Sequence, residues 1–197
     1  MDRRNILFFA LLVLIVVGIA VYQYALPPQL NGALIDPPKP MPNFRLLSSS
    51  GPVSLDDFRG KVTVLFFGFT NCKDICPATM AKMSEVLTKL GDKSREVRVV
   101  FISVDYKRDT PQIVSAYAAK FRTDFVGLTG SQNEIDAVTK DYGIYYKLGE
   151  PDASGAYEVE HTATLMVLDR QGQLVMTWSP DQQPDEIASD LGVLVKR

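Results

Sequence analysis

The chain has 197 residues, with 21 Lys and Arg against 23 Asp and Glu and a formal charge of -2, long enough for one ordinary domain plus an appendage. Without Asp2, Arg3 and Arg4, 19 basic and 22 acidic residues remain. No basic block is left to track a phosphate backbone, which argues against nucleic acid as a partner.

From Ile6 to Leu26 the chain carries no charge and is dominated by Leu, Ile, Val and Phe, about the length a membrane-spanning helix needs. A buried core helix would not be apolar on every side at the extreme N-terminus. A cleaved signal peptide is the competing reading, with small residues at Gly18-Ile19-Ala20, but the apolar run outlasts an ordinary signal core. No cysteine follows the run, which argues against a lipoprotein signal. Arg3 and Arg4 precede it, so the positive-inside bias predicts a cytoplasmic terminus over residues 1–5, a single anchor over 6–26, and the bulk of the chain beyond the membrane in a periplasm or its equivalent. Cysteines can be oxidised there.

Six prolines between Leu26 and Phe44 predict an extended tether over 27–41, with a folded domain over 42–197. Phe44 to Leu47 and Val53 to Leu55 read as a hairpin about the turn Ser48–Gly51. Lys61 to Thr70 is continuously apolar, rich in β-branched and aromatic residues, as expected of a strand buried on both faces. Cys72 to Leu90 carries Ile75, Met80, Met83, Val86, Leu87 and Leu90 at helical spacing, stopped by Gly91. Val97 to Val104 is a second buried strand. Thr110-Pro111 opens a helix to about Phe121, and Ser131 to Tyr142 is another, closed by Gly143. His161 to Leu168 and Gln173 to Trp178 read as strands joined at Asp169–Gly172, and Pro184 to Leu191 as a last helix. This order predicts an α/β fold: a mixed sheet flanked by helices, in a thioredoxin-like arrangement with an N-terminal β-hairpin and an insertion before the last two strands.

The only two cysteines, Cys72 and Cys76, fall where the first buried strand gives way to a helix, and the only histidine, His161, lies 85 residues beyond Cys76. At i and i+4 of a helix the cysteine β-carbons would be about 5 to 6 Å apart, close enough to grip one ion or to close a disulfide. The helix N-terminus should acidify both thiols. A structural disulfide gains little chain entropy from so short a loop. A dithiol oxidoreductase is the stronger rival, yet three residues separate the cysteines, and no proline precedes the strand Thr162 to Leu168, where thioredoxin-type enzymes place one; His161 falls near that position. If the loop before that strand passes over the cysteine helix, two thiolates and an imidazole form a soft three-donor set. Such a set fits Cu(I), or Cu(II) with a fourth ligand, better than structural zinc. Met80 and Met83 continue the apolar stripe and read as core, while Lys73 and Asp74 face outward between the cysteines. Asp105 ends the second buried strand, where open α/β sheets place their sites. It can approach the metal or orient His161, or instead cap the Thr110 helix or bind Arg108.

The chain resembles the Sco/SenC family of membrane-anchored copper proteins. The residues carrying the resemblance are Phe67-Gly68-Phe69-Thr70-Asn71-Cys72-Lys73-Asp74-Ile75-Cys76-Pro77, Ser103-Val104-Asp105 with Arg108-Asp109-Thr110-Pro111, Leu128-Thr129-Gly130, and His161-Thr162 running to Leu168-Asp169. Tyr106 stands where that family usually has proline, and Glu160 where it usually has aspartate; neither replaces a ligand. The resemblance implies copper held by Cys72, Cys76 and His161. It further implies a metallochaperone in the inner membrane that faces the periplasm, works with other copper chaperones, and acts on the copper-containing subunit of cytochrome c oxidase to assemble its binuclear centre. The alternatives are a thiol-disulfide reductase that maintains that centre's cysteines, the one enzymatic reading, and a copper or redox sensor.

Overall fold

The computed structural model describes residues 11–18 and 30–196. Residues 11–18 are helical and exposed; the rest of the expected anchor lies outside the described residues, among which no helix is long and apolar enough to cross a membrane.

The strands are β1 (Ala33–Pro40), β2 (Arg45–Ser48), β3 (Gly51–Ser54), β4 (Val62–Gly68), β5 (Val97–Ser103), β6 (Val126–Leu128), β7 (Tyr146–Leu148), β8 (Val159–His161), β9 (Leu165–Leu168) and β10 (Gln173–Trp178). The helices are α1 (Ile75–Leu90), α2 (Pro111–Phe121), α3 (Gln132–Tyr142) and α4 (Pro184–Leu194). Their ends follow local chemistry. Thr110 accepts the Ile113 N–H ahead of Pro111, and Ser131 and Glu134 form a reciprocal capping box. Gly143 closes α3 in the left-handed conformation, with φ 69°.

Six strands form one mixed sheet in the order β1-β10-β9-β4-β5-β6. β4, β5 and β6 run parallel, and β9, β10 and β1 are added antiparallel. Every residue of β4 is buried, as its unbroken apolar run predicts for a central strand. Side-chain parity assigns the layers. Phe66 neighbours Phe101 in register, and the Phe101 ring lies 5.0 Å from Tyr117 of α2. Leu165 pairs with Phe66 and Trp178 with Leu165, and Trp178 donates to Asp190 of α4. These contacts put α2 and α4 on one face, and Cys76 of α1 lies under Gly68 on the same side. Phe67 points the other way, 6.0 Å from Tyr142 of α3, which also meets Phe44. Each large apolar side chain so buried contributes about 1.5–3 kcal/mol.

Three expectations change. Residues 33–40, expected to be tether, pair with β10 at the sheet edge, where prolines cost no ladder hydrogen bond that the sheet needs. Buried Asp190 secures this start of the chain by accepting from the Asn31 backbone and side-chain N–H groups and from Gly32 N–H, each at 2.9 Å. Second, the segment His161 to Leu168 is two strands: β8 pairs with β7 in a separate ribbon, and β9 begins only at Leu165. Third, the cysteine helix begins at Ile75, so Cys72 precedes it.

Candidate metal centre

β4 delivers the chain to the C-terminal edge of the sheet, where Cys72 N–H turns back onto Phe69 C=O and α1 starts at Ile75, directly after Asp74, whose side chain caps none of the first turn's N–H groups. The Cys76 N–H has no helical partner at this position; it donates to Cys72 Sγ at 3.4 Å. Pro77 follows in the first turn, where its missing N–H costs nothing. Because β9 runs antiparallel to β4 with Leu165 opposite Phe66, the chain entering β9 must pass beside the end of β4. His161, four residues ahead of Leu165, therefore meets the cysteine loop despite its distance in sequence.

His161 Nε2 lies 3.7 Å from Cys76 Sγ. Its Nδ1 is 3.0 Å from the Thr162 carbonyl; a carbonyl only accepts, so Nδ1 carries the proton and Nε2 presents its lone pair to the sulfur. Burial depresses the imidazole's pKa, more than the backbone groups of Thr162 and Phe67 raise it, which keeps the ring neutral, the form that binds metal. The rings of Phe69 and Phe66 meet it at 5.6 and 6.4 Å. Cys76 is fully buried and Cys72 half-buried, and both are free. Contrary to the acidity expected at Cys76, burial pushes its thiol up, more than a hydrogen bond with the Phe69 backbone lowers it.

The donors fit a shared ion. Bond lengths of about 2.3 Å to sulfur and 2.0 Å to nitrogen, those of a zinc-sized ion, span the gap between Cys76 and His161 at an open angle near 120°. Cys72 is beside the pair, but among the described residues no three Cys, His, Asp or Glu side chains are gathered into a metal-sized cluster. Above them opens a cleft of about 710 Å³, lined by Cys72, Ile75, Arg108, Tyr157, Glu160 and His161 among others. Ile75 is exposed at its edge, Lys73 and Asp74 line it, and Met80 and Met83 are wholly buried in the core.

Asp105 makes no hydrogen bond to His161, whose ring nitrogens face Cys76 and the Thr162 carbonyl. It is wholly buried, and both carboxylate oxygens are taken: Oδ1 by the Tyr157 hydroxyl at 2.6 Å, Oδ2 by Arg108 Nε at 2.5 Å. Tyr157 went unremarked in the sequence because it is a lone aromatic in an otherwise polar stretch. Asp109, quoted only within a motif, is a buried clamp that accepts from Thr70 N–H, Thr70 Oγ1 and Ser103 Oγ. It ties the ends of β4 and β5 together and so fixes the base of the cysteine loop; an acid immediately before a Thr-Pro helix start was the available signal.

The SCO1/SenC family model matches residues 33–196. An SCO2-like protein of Rickettsia felis is 32% identical over 147 residues, spanning 74% of this chain and 72% of its own length. The structure of Bradyrhizobium japonicum ScoI with copper bound is 36% identical with a TM-score of 0.72, covering 79% of this chain and 99% of that one. BsSco, described as a member of the Sco family of cytochrome c oxidase assembly proteins with a disulfide switch, is 25% identical with a TM-score of 0.65, covering 86% of this chain and 99% of that one. With β1 through α4 inside the matched region and Cys76 facing the histidine, the chain belongs to the SCO1/SenC family.

Proposed function

We propose that this chain carries copper as cargo on Cys72, Cys76 and His161 and passes it to the copper-containing subunit of cytochrome c oxidase during assembly of the binuclear centre, from a single N-terminal anchor and on the extracytoplasmic side. The observation that carries this reading is the 3.7 Å approach of His161 Nε2 to Cys76 Sγ with Nδ1 already committed to a carbonyl. That arrangement holds a soft sulfur and a borderline nitrogen on one point, and copper favours such ligands. Cys72 completes the set by a change in its side-chain position, available to a half-buried residue ahead of the helix. Both thiols give up protons on binding, and the ion's charge compensates the buried Cys76 sulfur where water does not. The copper-bound ScoI relative and the oxidase-assembly description of BsSco support the same reading.

The test uses the full-length protein in detergent with Cu(II). Thiolate-to-copper charge-transfer absorption is expected, lost in Cys72→Ser and Cys76→Ser and shifted and weakened in His161→Ala. Unchanged affinity and spectrum in His161→Ala would overturn the three-ligand site. The second reading, reduction of the oxidase's cysteines, is favoured by one observation: both thiols are free, and Cys72 stands partly open to a partner. In a strain lacking the protein, rescue of oxidase activity by added copper supports delivery; rescue by an exogenous thiol reductant supports reduction.

A further inference from the structure

We propose that Tyr157 is the positioning residue for His161: through Asp105 and Arg108 it latches the histidine-bearing ribbon to the end of β5 and so sets Nε2 against Cys76. The inference rests on the reading of His161 as a copper ligand.

β8 pairs with β7 alone, outside the main sheet, and a two-stranded ribbon is marginal by itself in water. From Glu150 to Glu160 only Tyr157 and Val159 are not exposed. The reversal at 152–156 is local, with Asp152 accepting from Ser154 N–H and Ala156 N–H, and gives the ribbon no hold on the domain. Tyr146 on the β7 side donates to Asp136 of α3 and Val159 is buried, but the polar hold on the histidine's own arm comes four residues before His161. Tyr157 donates its hydroxyl to Asp105, its carbonyl accepts from Arg108 Nη1 at 3.1 Å, and the Arg108 guanidinium lies 3.7 Å from its ring centroid. Arg108 Nε binds the other oxygen of the same carboxylate. Asp105 is a firm anchor. It sits just past β5, is wholly buried, and its N–H is taken by Ser103 Oγ. A buried carboxylate is costly without partners, so Asp105 drives this latch closed. The phenol is the only one of the latch groups that belongs to the ribbon by side chain, and a hydrogen bond to an ionised acceptor is about twice as strong as a neutral one.

Opening the latch lets β8 swing and taxes metal affinity by the fraction of molecules still closed. Tyr157→Phe removes one oxygen and keeps the ring under Arg108. In the metal-free full-length protein, amide exchange over 157–161 is expected to quicken several-fold while exchange in β4 and β5 is unchanged. Copper(II) affinity is expected to fall roughly tenfold in the otherwise wild-type chain and to be unaffected by Tyr157→Phe in a His161→Ala background. The proposal is overturned by unchanged exchange, by an equal loss of affinity in the His161→Ala background, or by unchanged affinity in a chain whose His161→Ala variant does lose copper. If His161→Ala alone leaves affinity intact, the ligand reading fails, and the metal-free exchange still decides the latch.

Discussion

Gly68 bears most directly on the site, because it is the floor under the Cys76 sulfur. A β-carbon built there falls 2.7 Å from Cys76 Sγ, 2.8 Å from Phe101 Cε2 and 3.3 Å from Phe101 Cζ. Unstrained heavy-atom contacts lie at about 3.5–4.0 Å, so Gly68→Ala requires roughly 0.8 Å of retreat on two sides at once. Phe101 has nowhere to go: it is wholly buried between Phe66 at 6.0 Å and Tyr117 at 5.0 Å. The sulfur must yield instead, a large displacement against its 3.7 Å approach to His161. Overpacking of this kind costs about 1–3 kcal/mol. Urea unfolding of the two proteins should show that loss as a lower midpoint with an unchanged slope, and Cu(II) titration should show weakened binding with an altered charge-transfer band. Stability within about 0.5 kcal/mol of wild type together with an unaltered copper spectrum would refute the close-packed floor.

Asp190→Ala strips the acceptor from Trp178 Nε1, which is buried, and from the Asn31 and Gly32 N–H groups, which can rehydrate; a loss of about 2–4 kcal/mol is expected in urea unfolding, with β1 amides exchanging far faster. Tyr117→Phe removes a buried hydroxyl that has no hydrogen-bond partner, so it should stabilise by about 1 kcal/mol, read as a rise in the thermal midpoint; a fall would show that the hydroxyl is satisfied. Glu134 is held below the usual carboxylate range, chiefly by the Ser131 N–H and then by the Ser131 hydroxyl. A lowered folded pKa contributes stability above the unfolded value near 4.3 and loses it as pH falls through the folded one. The advantage of wild type over Glu134→Gln in chemical denaturation should therefore shrink steadily from pH 5 downward; an advantage that grows would contradict the capping box.

Where one element's chemistry is local, the sequence was enough. The apolar run of β4, the Thr110-Pro111 start of α2, and the Ser131, Glu134 and Gly143 signals around α3 all specify structure through neighbours within a turn. β1 is not legible in the sequence because an edge strand with prolines has the composition of a tether; pairing depends on β10 offering an edge and on Asp190 holding residues 31–32. The break between β8 and β9 is hidden for a related reason. Residues 161–168 contain no glycine or proline to mark a break, but Leu165 is where β4 becomes available as a partner. Spacing alone puts Cys72 on the helix, whereas its sulfur serves the helix from outside.

The donors are legible residue by residue: two thiols at a strand-to-helix junction, one imidazole ahead of a strand, and few other soft ligands to compete. Which of them meet depends on how the strands pack. The 85-residue gap between Cys76 and His161 closes because β9 returns antiparallel beside β4, a pairing written in no local propensity. The same packing buried Asp105 beside Arg108 and Tyr157, since a carboxylate taken out of water binds the donors that the fold brings to it.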